Sequence, residues 1–246
     1  MPKPHLVPDW RDLSDPENLS DPENVKSAVR TKRIDTKAAI IEVSEKLFGE
    51  LGINFVSLRE IARQIGQSNN NAVQYHFRGK QDLIDAILIN RVKQMEKLRL
   101  PMSDKLSKIE HTDLRSLLYA LLYPILTIKC RDNTHVFARF LLQYSLWSGI
   151  SHHPAYIWGA EDRNRMNFAL QPNGLVSLVK QIQSRCKNLT ESVFQNRIES
   201  LSLMFLSSVV EHDNAQKREG APQREYNLAS FLDMAIGALQ APCTEE

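Results

Sequence analysis

Apolar residues recur at three- and four-residue spacings along most of the 246-residue chain, and no alternating run of strand length stands between turn residues. The spacing predicts an all-α protein. A first helix starts near Asp35, carrying Ala38, Ala39, Ile41, Val43, Leu47 and Phe48, with Gly52 placed as its C-cap. A short second helix opens on Ser57 and Glu60, spaced as a capping box, with Val56 and Ile61 as the hydrophobic staple; Gly66 stops it. After polar Gln67 to Asn71 comes a third short helix that buries Ala72, Val73 and Phe77, and Arg78-Gly79 ends it. A longer amphipathic helix follows with Leu83, Ile84, Ile87, Leu88 and Val92.

Beyond Pro101 the pattern stays helical. A leucine stripe at 114, 117, 118, 121 and 122 is expected to break at Pro124. Further helices are expected at 136–147, 154–169, 174–187, 191–213 and 225–240. The organisation read from this is an arm over 1–34, a helix-turn-helix domain over 35–80, a connecting helix over 81–100 and a helical domain over 101–246. The arm holds a hexapeptide twice, Leu13 to Asn18 and Leu19 to Asn24, whose prolines forbid one long helix.

Charge sharpens the picture. Residues 1–24 carry two basic against six acidic side chains, residues 25–100 fourteen against eight, and the remainder balances. A basic module joined to a neutral one suits a polyanion partner. Three cysteines without paired spacing indicate a reduced, cytoplasmic protein; no apolar run has transmembrane length and the first residues lack a signal-peptide core. No paired carboxylates, nucleophile with base, or glycine-rich phosphate loop is visible, so an enzyme is not expected, nor any cofactor. His135, His152 and His153 near Cys130 match no compact ligand spacing, and no metal site is assigned.

Three short helices joined by tight polar turns make a helix-turn-helix. Its second helix turns Arg59 and Arg63 outward; its third offers Asn70, Asn71, Gln74, Tyr75 and His76 to a groove, with Lys80 placed for a phosphate. Amide side chains pair with adenine, while Tyr and His reach phosphates. Simpler roles stand beside these: the asparagines solvating a turn, Tyr75 half-buried in packing, His76 covering Phe77, and the arginines lining a solvated face. Basic Lys26, Arg30, Lys32 and Arg33 suit either a minor-groove arm or loose phosphate attraction.

Ala38 to Ile89 resembles the DNA-binding domain of the TetR family of transcriptional repressors. The resemblance rests on Leu47-Phe48 with Gly52, on Ser57 with the Ile61-Ala62 pair, on Tyr75-His76-Phe77 at the end of the third helix, and on Lys80 and Leu83. Two positions depart from the family pattern. Ser68-Asn69-Asn70-Asn71 replaces a Ser-x-Gly, and Gln74 stands where Tyr is common, so Gln74 is expected to read a base where relatives touch a phosphate. The DNA-contact set expected from motif and resemblance together is Ser57, Arg59, Gln67, Ser68, Asn69, Asn70, Asn71, Gln74, Tyr75, His76 and Lys80.

The resemblance implies that the C-terminal helical domain dimerises and binds a small effector. Tyr119, Tyr123, Phe137, Phe140, Tyr144, Trp147 and Met166 are the aromatic and apolar candidates for a hydrophobic effector's pocket, with ordinary core as the alternative. Leu201, Phe205 and Val209, with Phe231 and Leu232, are the candidate homodimer interface. Two reading heads would then sit roughly 34–36 Å apart on a pseudo-palindromic double-stranded operator. An effector-independent architectural or activating DNA-binding protein is the alternative.

Overall fold

The computed structural model describes residues 36–66, 71–130, 132–148, 173–222 and 224–243. Every regular element among them is a helix: α1 (Thr36–Leu51), α2 (Leu58–Gln64), α3 (Asn71–His76), α4 (Lys80–Ser107), α5 (Leu114–Leu126), α6 (Val136–Ser148), α7 (Asn173–Arg185), α8 (Glu191–Gln216) and α9 (Leu228–Gln240). The arm, its basic residues and the helix expected at 154–169 lie outside the described residues.

Helices α1 to α3 pack on one another, and α1 also lies against α4 and α6. Behind them α5 is the centre of the larger domain, touching α4, α7 and α9. Apolar on every side, α5 leaves only Arg115 and Tyr123 of its thirteen residues less than buried. Asp113 starts it, accepting from the Ser116 N–H at 2.7 Å.

Two expectations from proline are corrected. Helix α4 does not end at residue 100 but runs through Pro101 to Ser107, and α5 does not break at Pro124 but continues to Leu126. Each ring removes one N–H from the helix ladder, which costs a few kcal/mol in isolation. Burial of Met102, Ser103 and Leu106 past the first proline, and of Ile125 and Leu126 past the second, holds the helices together.

A polar network joins α4, α5 and α7 inside the core. Arg99 is 1% exposed, and its Nε and Nη2 donate to the Leu121 carbonyl at 3.3 and 3.0 Å. Burial lowers its pKa to about 10, against the opposing charge of Glu96. The Glu96 carboxylate caps α7, accepting from Gly174 N–H at 2.8 Å and Leu175 N–H at 3.3 Å. Only glycine fits at 174, because a Cβ there would sit 2.8 Å from the Leu100 nitrogen.

Candidate nucleic-acid interface

Ser57 begins α2 as expected, its Oγ accepting from the Glu60 N–H at 3.1 Å. The capping box closes in one direction only. Glu60 accepts from Arg63 Nη2 at 2.7 Å and from Gln64 Nε2 at 3.2 Å, and the Arg63 bond holds its carboxyl below the usual range. So Arg59 and Arg63 both face solvent, but Arg63 carries its own counter-charge. Val56 and Ile61 are buried as a staple requires. Gly66 then ends the helix at φ +77°, a left-handed conformation that glycine takes without a Cβ clash.

Gln67, Ser68, Asn69 and Asn70 lie outside the described residues; Asn71 opens α3. Val73 and Phe77 point into the head's core, at 0% and 4% exposure. That orientation puts Asn71, Gln74 and Tyr75 on the opposite side, all exposed, with Tyr75 at 85%. Tyr75 is therefore not a half-buried packing residue. His76 is half-buried, its ring 5.0 Å from that of Tyr75 and 6.4 Å from that of Phe77. Asn71 and Tyr75 are one helical turn apart, with Gln74 beside them, so three side chains able to touch base edges or phosphates share one outward stripe.

Lys80 has a second task. Its Nζ donates to the Ile53 carbonyl at 2.7 Å, twenty-seven residues back, tying α4 to the turn between α1 and α2. Partial burial lowers its pKa. The ammonium keeps further N–H groups for a phosphate. Sequence reasoning passed over two cations. Arg78 is exposed directly after α3, its backbone N–H held by Asp82 at 3.1 Å, and Lys37 Nζ stands 5.8 Å over the Phe77 ring. A basic residue within two positions of the recognition helix was the available signal for Arg78.

The reading head rests on α6. Phe48 of α1 meets Phe140 at 6.4 Å, and a Cβ on Gly49 would approach the Phe140 nitrogen to 3.1 Å. Along α6 the candidate effector residues form an aromatic ladder: Phe137 to Phe140 at 6.1 Å, Phe140 to Tyr144 at 6.2 Å, and Tyr144 to Trp147 at 6.1 Å. Phe137 and Phe140 are buried, Tyr144 and Trp147 half-buried. Tyr119 and Tyr123 stack on α5 at 4.9 Å. Met166 lies outside the described residues, as do His152 and His153.

The candidate dimer residues are corrected in position. Leu201, Phe205, Val209, Phe231 and Leu232 are all buried within the chain's own core, where α8 and α9 pack together. The outward face of those two helices shows Met204 and Met234 at 46% and 43% exposure. Hydrophobic spacing identifies an apolar face; it does not say whether the chain's own core or a second copy covers it. Among the described residues no group of three His, Cys, Asp or Glu has metal-holding geometry, and no helix is long and apolar enough to cross a membrane.

A short helix closed by a glycine, followed by a second that presents a polar stripe over a buried apolar face, defines a helix-turn-helix DNA-binding protein. Residues 40–87 match the family described as bacterial regulatory proteins, tetR family. Those residues are a TetR-family DNA-binding domain. The fold of the chain is similar to that of a protein described as a tetR-family transcription regulator from Shewanella sp. PV-4, at 17% identity and TM-score 0.51, over 83% of this chain and 96% of that one. A protein described as a TetR-family transcriptional regulator from Mesorhizobium loti aligns at 14% identity and TM-score 0.44, over 86% and 96%. No curated protein matches the chain.

Proposed function

We propose that the chain is a dimeric, cytoplasmic repressor that binds a pseudo-palindromic operator and is released from it by a small hydrophobic or aromatic ligand. The observation that carries the reading is the exposed stripe of Asn71, Gln74 and Tyr75, mounted on a head whose α1 is braced against α6. Amide side chains there favour adenine-containing base pairs, while Tyr75, Arg59, Arg78 and Lys80 supply backbone contacts. Met204 and Met234, on the outward side of α8 and α9, suit a twofold helical interface. Helix α6 bears both the aromatic ladder and the contact to α1. A ligand entering beside the ladder would displace the head with α6 and change the spacing of the two recognition helices.

The test is selection from a random duplex pool at near-physiological salt, followed by sedimentation of the protein on the enriched sequence. An inverted repeat bound by two chains is the expected result. Enrichment of no sequence, with affinity that collapses as salt rises, would overturn the reading in favour of an architectural protein held by phosphates alone.

A further inference from the structure

Away from the reading head lies a polar recess of about 230 Å³, between the α5–α6 loop, the last turn of α8 and the segment leading into α9. His135 lines it, with its side chain 4% exposed. The His135 backbone N–H donates to Asp213 Oδ2 at 2.8 Å, and ring Nδ1 lies 2.8 Å from Oδ1. A carboxylate accepts only, so Nδ1 carries the proton and Nε2 is the nitrogen left to the recess. No described residue hydrogen-bonds Nε2.

Two of the three carboxylates that line the recess already accept hydrogen bonds. Asp213 is occupied by His135. Asp132 accepts from the Thr134 hydroxyl at 2.6 Å and its N–H at 3.2 Å, and the hydroxyl bond leads in holding its carboxyl below the usual range. Glu225 is the remaining carboxylate of the lining. Lys129, Lys217 and Arg224 also line the recess; none closes an ion pair among the described residues, though the Lys217 charge helps to lower the Asp132 pKa. Three cationic side chains therefore stand against one carboxylate, Glu225, that accepts no hydrogen bond among the described residues. At about 230 Å³ the recess is below the usual size of a drug-sized ligand's pocket and has room for one small charged group.

We propose that the recess binds a small anion, the carboxylate or phosphate end of a metabolite, with His135 protonated between Asp213 and the ligand and with Lys217 and Arg224 closing on it. Binding takes up one proton at Nε2, which then donates to a ligand oxygen while Asp213 stabilises the imidazolium. The other charged or titratable groups on the elements around His135 are Lys129 and Asp132 from the loop, Arg139 of α6, His212 of α8, and Glu225 and Tyr226 before α9. Arg139 donates to Asn214 at 2.8 Å, and His212 Nε2 lies 3.3 Å from Gln216 Nε2. His135 directly precedes α6, so an occupant fixes the start of α6 on the end of α8, in the same helix whose Phe140 meets Phe48. The binding step does not depend on the repressor reading; only its consequence for DNA does.

The test observes the imidazole nitrogens of the full-length, ¹⁵N-labelled protein by NMR, without DNA, at fixed ionic strength. Inorganic phosphate and succinate are titrated separately, with chloride as the control. The His135 Nε2 signal should move saturably to its protonated position with either probe, and response to one alone identifies phosphate or carboxylate as the ligand's end. The surface variant Lys217→Ala/Arg224→Ala should weaken binding roughly tenfold or more. Lys180→Ala, which removes an exposed cation outside the recess, should leave it unchanged. No saturable change at His135 Nε2 with either anion, an equal response to chloride, or an undiminished response in the surface variant overturns the proposal.

Discussion

Arg91 on α4 grips Glu45 on α1: Nε donates to Oε1 at 2.8 Å and to Oε2 at 3.0 Å, and Nη2 closes the fork on Oε2. Glu45 is fully buried and Arg91 nearly so, at 0% and 15% side-chain exposure. A further bond from Arg91 Nη1 to Gln94 Oε1, 2.8 Å, steadies the guanidinium. Helix α1 packs on α6 as well, so two helices of the larger domain hold it.

Breaking that clamp has a predictable cost. Arg91→Ala leaves a buried carboxylate without its partner and should lower unfolding free energy by about 3 kcal/mol in denaturant titration at neutral pH. A loss near zero would show that the pair does not brace the head.

The same pair predicts a pH dependence. Burial is the leading influence on Glu45 and raises its pKa above the ordinary glutamate range despite Arg91. A carboxyl with a higher pKa folded than unfolded contributes stability that is complete below the unfolded value and fades as pH climbs through the folded one. The stability of the wild type relative to Glu45→Gln should therefore decline from acid pH toward neutrality. A relative stability that rises over that window contradicts the assignment.

Gly174→Ala should destabilise the protein by about 2 kcal/mol, because the new Cβ meets α4 backbone at 2.8 and 3.0 Å and α7 must move. Alanine's better helix propensity, about 1 kcal/mol, works in the opposite direction and does not compensate. Glu96→Ala, which removes the cap from the same helix end, should cost about 1 kcal/mol. Thermal melts of the two single variants and the double variant would show whether the contacts act as one unit.

At the outward face of α8 and α9, Met204→Glu and Met234→Glu should weaken self-association in sedimentation without lowering the stability of the separated chain. Phe205→Ala should do the reverse, with a loss of about 3–5 kcal/mol from the core. If the methionine variants stay dimeric, the interface lies elsewhere.

How much of this could be read from residues alone differs from element to element. Ser57, Val56, Ile61 and Gly66 announced α2 because capping and stapling are local, decided within five residues. The inward Val73 and Phe77 followed from helical period, and with them the outward Gln74 and Tyr75. Pro101 and Pro124 misled, since a proline's cost is local while the burial that overrides it comes from α5, α7 and α9. The Lys80 bond to Ile53 and the Arg91 bond to Glu45 span 27 and 46 residues, and nothing in the spacing signals them. On α8 the apolar spacing was read correctly, yet Leu201, Phe205 and Val209 face the chain's own core and Met204 faces out.

Whether the exposed stripe of α3 reads bases is decided by parallel selections on the wild type and Gln74→Ala. Both proteins would be run against one random duplex pool at the same salt. One inverted repeat is expected for both, with Gln74→Ala losing preference at a single symmetric position in each half-site, a discrimination of about 1–3 kcal/mol. Identical base preferences for the two proteins, with equal affinity, would contradict it.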